Sequence, residues 1–158
     1  MTQHTPHAVE PKLHWEDFRE GEVREFGAVT VKREDIVRFA SEFDPQPFHV
    51  DEEAASQTMF GGLIASGWHT ASMAMRMMCD GYLLHSSSLG SPGVEHLKWL
   101  QPVRPGDTLH MRLTVLESRP LKSRAGVGLV KIRHEVVNQH GQAVMEMEGY
   151  GMFGRRSA

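Results

Sequence analysis

The densest chemical signal in the chain is Asp44-Pro45-Gln46-Pro47-Phe48-His49-Val50-Asp51. A carboxylate and an imidazole five residues apart, across a loop stiffened by two prolines, can converge on one water molecule. Unperturbed Asp titrates near ~3.9 and His near ~6.5. Close to neutral pH the pair therefore offers a fixed acceptor and a group able to take or give a proton, as general acid–base catalysis requires. Asp also caps turns and His also fills half-buried positions, so on these residues alone a purely structural reading stays open.

A second candidate is Ile64-Ala65-Ser66-Gly67-Trp68, at the expected start of a helix. The first N–H groups of a helix lack internal partners, and the aligned peptide dipoles make that end positive. Gly67 has no side chain to keep a ligand from its amide, so a thioester or carboxyl oxygen could be polarised there as in an oxyanion hole. A plain helix start using Gly for close packing is the alternative.

The elements that must position these residues follow from periodicity. Ile36, Val37, Phe39, Ala40 and Phe43 recur at helical spacing, which predicts a helix over Arg33 to Phe43 that Asp44-Pro45-Gln46-Pro47 must end. A polar helical turn is expected over Asp51 to Ser56. Trp68 to Cys79 is apolar nearly all round, with Arg76 its one basic residue, so other structure must enclose it. Alternation of apolar and polar residues then predicts strands through Leu109 to Val115, Val130 to Val136 and Ala143 to Phe153, with further strands at Val23 to Val31 and Gly93 to Leu100. Short turns between them make an antiparallel meander. The layout is α+β, a sheet wrapped on a buried helix.

Length and charge narrow the class. The 158 residues suit one domain. We divide them into an N-terminal arm over 1–11, a domain over 12–154 and a short tail over 155–158. A formal charge of −3 gives no bulk case for nucleic acid or an anionic membrane. No apolar run approaches the ~20 residues that span a bilayer, the start lacks the pattern of a signal peptide, and a single cysteine suits a reducing compartment. These features predict a cytoplasmic protein. The histidines show no ligand spacing such as HExxH, so no metal site is expected.

Taken together, Asp44 to Asp51, Phe60-Gly61 and Ile64-Ala65-Ser66-Gly67 resemble the MaoC-like dehydratases, or (R)-specific enoyl-CoA hydratases. Their motif reads, in outline, D-x-N-P-x-H-x-D. Leu97 to Leu109, containing Pro102-Val103-Arg104-Pro105-Gly106-Asp107, resembles the strand, turn and strand of the same family. The resemblance spans about Trp15 to Phe153 and implies a single hot-dog fold. It makes Asp44 and His49 the dyad that activates water and gives the amide of Gly67 the thioester oxygen. The activity implied is reversible syn hydration of a trans-2-enoyl thioester, carried on coenzyme A or acyl-carrier protein, to a 3-hydroxyacyl thioester. The thioester is the substrate and no cofactor is needed. It also implies a homodimer or a dimer of dimers, with sheets joined edge to edge and no nucleic-acid or membrane partner. A hot-dog thioesterase and a non-catalytic acyl-thioester-binding subunit of a heteromeric dehydratase are the alternatives.

Two departures bear on substrate choice. Gln46 stands where the family usually has Asn, and Ser66 where many members have His. A Ser that some members keep near the dyad appears here as Met75. Ser66, Trp68, His69 and Met75 are therefore expected to line the substrate pocket. Lys98, Arg104, Arg119, Lys122 and Arg124 are the candidates for the coenzyme A phosphates, foremost the short basic connection Arg119 to Arg124, with a solvated strand edge or loop the alternative for each. The methionines of the buried helix are expected core filler or the wall of an acyl tunnel.

Overall fold

A computed structural model describes residues 10–157. Five strands form one antiparallel sheet: β1 (Val23–Thr30), β2 (Gly93–Trp99), β3 (Thr108–Pro120), β4 (Val127–Val137) and β5 (Ala143–Gly154). Their spatial order is β1-β3-β4-β5-β2. Alternation explains which face turns inward. Leu109, Met111, Leu113 and Val115 on β3, and Val130, Ile132, His134 and Val136 on β4, are all buried, while His110 and Arg112 between them are exposed.

Four helices lie between β1 and β2 in the chain: α1 (Arg33–Phe43), α2 (Pro47–Val50), α3 (Glu52–Ser56) and α4 (Gly67–Gly81). The buried side of α4 carries His69, Thr70, Ala74, Met77 and Met78. The sheet curls around this helix to give the α+β hot-dog arrangement, with Ile36, Met77, Leu109, Met111 and Met145 among the residues that close the core. Two close approaches need glycine. A Cβ on Gly81 would collide with the Phe26 ring, and one on Gly67 with the Trp99 indole.

Three details depart from the sequence reading. First, α2 is a short helix where a stiffened loop is expected. Pro47 opens it, because its missing N–H is an unpaired donor position in any helix start, and this turn presents His49. Second, α4 is not enclosed all round. Trp68 is 61% exposed, and Met75 and Arg76 are exposed too, so one face stays open in the single chain. Third, Arg155 and Arg156 are held although a free tail is expected there. Arg155 N–H donates to the Gly126 carbonyl, and Arg156 ion-pairs with Asp17 at 2.7 Å. Of the expected arm, residues 1–9 lie outside the described residues. No helix among the described residues is long and apolar enough to cross a membrane.

Candidate active site

The turn from α1 into α2 brings the dyad together. Asp44 ends α1, its N–H donating to the Ala40 carbonyl. The next residues reverse the chain so that His49, one turn later, faces back toward it. His49 Nε2 lies 3.3 Å from Asp44 Oδ2. The other ring nitrogen, Nδ1, lies 2.7 Å from the Ile64 carbonyl oxygen. A carbonyl can only accept, so Nδ1 carries the proton and Nε2 of the neutral ring is a free base. His49 is 5% exposed, and its ring is flanked edge-on by Phe48 at 4.5 Å.

Asp44 is held from two sides. Gln46 Nε2 donates to Oδ1 at 2.7 Å, and Ser66 Oγ donates to Oδ2 at 2.7 Å. These bonds favour the charged form. The Gln46 amide does most to hold the Asp44 carboxyl below its ordinary value; partial burial opposes it, and Ser66 and His49 add to it.

The start of α4 supplies the second half. Ile64 N–H donates to the Phe48 carbonyl and Ala65 N–H to the Val103 carbonyl, so both flanks of this segment are fixed. Gly67 is the first residue of the helix, and its amide belongs to the turn that has no intrahelical acceptors. Trp99, at the end of β2, packs onto it. His49 and Gly67 open into one cleft of about 350 Å³, whose walls include Phe60, Thr70, Trp99 and Val103. A base at Nε2, an anion beside that nitrogen and a helix start thus meet at a shared, partly apolar space. That set can activate water beside a carbonyl whose oxygen takes up negative charge.

The other sequence candidates divide. Ser66 is fully buried and points to Asp44 instead of lining the cleft. Trp68 sits on the outside of α4, edge-to-face with Trp99 at 5.1 Å, next to the cleft but not in its wall. His69 turns away, stacking on Phe39 of α1 at 4.8 Å, because side chains two apart on a helix point to different faces. Burial lowers its pKa. Met75 lies eight residues beyond Gly67, roughly 12 Å along α4, in a separate apolar cavity of about 260 Å³ with Met78, Tyr82, Val94 and His134. Arg119, Lys122 and Arg124 are at the far end of the sheet. Along β5, Met145 pairs with Trp99 and Gly154 with Val127, which separates the ends by roughly 30 Å.

One residue of this site has no signal in the sequence. Trp99 caps Gly67 from 32 positions away, and no local pattern marks that. Arg104, one of the cationic candidates for the coenzyme A phosphates, lies beside the cleft wall with its Nη2 donating to the Phe60 carbonyl at 2.6 Å.

An antiparallel sheet wrapped on a helix is the hot-dog arrangement of the MaoC-like structures. Residues 17–138 match the family model described as MaoC like domain, and the chain belongs to that family. A solved MaoC-like dehydratase from Rhodospirillum rubrum is similar over 92% of this chain and 99% of its own, at 41% identity and a TM-score of 0.85. The (R)-specific enoyl-CoA hydratase of Rhodospirillum rubrum is 32% identical over 70% of this chain and 75% of its own length. The 3-hydroxybutyryl-CoA dehydratase of Methylorubrum extorquens is 28% identical over 85% of this chain and 84% of its own.

Proposed function

We propose that the protein is a hydro-lyase that reversibly adds water to a trans-2-enoyl thioester to give the 3-hydroxyacyl thioester. The observation that carries this reading is the shared cleft, into which His49 and Gly67 both open while Asp44 stands beside the basic Nε2 of the imidazole. The thioester oxygen accepts from Gly67 N–H, which with the positive helix end drains electron density from C3 of the alkene. Water held at His49 Nε2 and Asp44 attacks C3. Its O–H bond breaks toward the dyad, its oxygen bonds to C3, and the alkene pair moves through C2 onto the thioester oxygen. Return of that pair to C2, with a proton from the dyad, completes addition on one face. No redox step occurs, since the proton removed is the proton returned.

The active unit in this reading is at least a homodimer. Strand β2 ends the sheet, so its outer edge is unpaired among the described residues, and Val94, Trp99 and Leu100 are exposed along it. Antiparallel pairing with a second copy of β2 covers that edge and lies beside the open face of α4, where Trp68 and Met75 stand. It also reverses the second copy end for end. The basic connection of the second copy, Arg119 to Arg124, then comes to the cleft's end of the joint sheet, some three inter-strand spacings or roughly 15 Å to the side. In that position it meets the phosphates of the thioester carrier.

Incubation with crotonyl-CoA tests the activity. Loss of enoyl absorbance without release of thiol is the expected result. Release of free coenzyme A thiol marks a thioesterase and overturns the reading, and binding without turnover marks a non-catalytic subunit.

A further inference from the structure

Ser66 has no exposed surface, and its hydroxyl is used twice. Its proton goes to Asp44 Oδ2 at 2.7 Å, and its oxygen accepts the Trp68 N–H at 3.3 Å, capping α4. The amide of Gln46 holds the other carboxylate oxygen. The two oxygens of Asp44 are thus each tied to a neutral donor, and the donors come from different segments. One belongs to the dyad's own loop and one to the helix start that carries Gly67.

We propose that Ser66 and Gln46 are positioning residues that clamp Asp44 as a stationary anion, leaving His49 to carry the proton. The inference rests on the hydratase reading above and assigns a division of labour within it. Neutral donors hold the carboxylate without cancelling its charge, and each donor makes its protonation harder. His49 has the complementary arrangement. With Nδ1–H committed to the Ile64 carbonyl, Nε2 takes the proton that water loses as its oxygen bonds to C3. The imidazolium so formed faces the Asp44 anion at 3.3 Å. The Nε2–H bond then breaks as the C2–H bond forms, which restores the neutral ring. Ser66 adds a mechanical link, because one hydroxyl joins the proton-handling loop to the helix end that receives the thioester oxygen.

The test is a pair of variants, Ser66→Ala and Gln46→Ala, read in two ways. In ligand-free protein, carbon-13 labelling of the aspartate carboxyls follows the titration of Asp44. In turnover, the pH profile and the kcat and KM for crotonyl-CoA are measured. Each variant is expected to titrate Asp44 at higher pH than the wild type. The acid limb of the rate profile moves with it, and kcat falls by about 10- to 100-fold while KM stays within about 3-fold. Gln46→Asn, which keeps an amide donor, is expected to recover most of the rate. Ser66→Ala also removes a helix cap and so lowers stability; Gln46 precedes α2 but its side chain makes no capping bond, so its variant decides if the first fails to fold. An unshifted Asp44 titration in Gln46→Ala, or an unchanged kcat, overturns the clamp. If the wild type hydrates no enoyl thioester, the functional reading fails on its own, and the ligand-free titration still decides whether the clamp exists.

Discussion

Two histidines at opposite ends of α4 are buried almost equally, His49 at 5% exposure and His134 at 4%, yet their surroundings give them opposite characters. His49 has a carbonyl on Nδ1 and a carboxylate facing Nε2, at the wall of a cleft that is otherwise largely apolar. His134 lies in the apolar cavity, where its Nε2 is 2.8 Å from the Tyr82 hydroxyl. Its Nδ1 has no partner among the described residues. With no charge to support the imidazolium, burial pushes the His134 pKa down to about 4, and the same burial raises that of Tyr82. The phenol donates to Nε2, and the ring stays neutral near neutral pH. Burial alone does not make a histidine catalytic. An anion beside one nitrogen and an acceptor fixing the other are what equip His49 for proton transfer in the proposed reaction.

The comparison can be broken at either end. The largest effect belongs to the dyad: Asp44→Asn or His49→Ala is expected to lower crotonyl-CoA hydration by about 10²- to 10⁴-fold, measured by enoyl absorbance, while His134→Phe retains activity within a few-fold. A dyad variant with full activity would remove the distinction. Gly67→Ala comes next. Its Cβ collides with the Trp99 indole, so the cleft wall must shift, and a displacement near ~1 Å costs on the order of 10²-fold in rate. A change in tryptophan fluorescence accompanies the loss.

The apolar end is read through stability. A folded-state pKa of about 4 lies below the ordinary ~6.5 of an unfolded chain, so below pH ~6.5 the unfolded state binds a proton that the native state refuses. The contribution is complete above pH ~6.5 and is lost as pH falls toward 4, amounting to about 3 kcal/mol. Denaturant titrations of His134→Phe between pH 4 and 7 are expected to show a shallower dependence than the wild type. The smallest effect is a coupling. Tyr82→Phe leaves Nε2 unpaired and is expected to cost about 1–3 kcal/mol, whereas Tyr82→Phe with His134→Leu costs less than the sum of the singles.

The sequence made the dyad and the helix start legible because both are punctuated locally, the first by Pro45 and Pro47 and the second by Ser66-Gly67. The strands were legible because inward residues alternate. What could not be read depends on pairing over distance. Trp99 reaches Gly67 only because β2 lies beside β5 in one register, and the same pairing puts Arg119 to Arg124 at the other end of the sheet. Ser66 looked like a pocket residue because a hydroxyl beside a glycine does not announce its partner. His69 was misread for a helical reason, two residues being about half a turn. The apolar run of α4 was read as fully enclosed, yet a single chain covers only part of it.

The central claim is that one dyad both removes and returns the proton, on one face of the alkene. Hydration of crotonyl-CoA in deuterium oxide, followed by proton NMR of the product, tests it most directly. The account predicts one deuteron at C2, on the same face as the new hydroxyl at C3, in a single diastereomer and with no free thiol. Deuterium on both faces of C2, or release of coenzyme A, would contradict it.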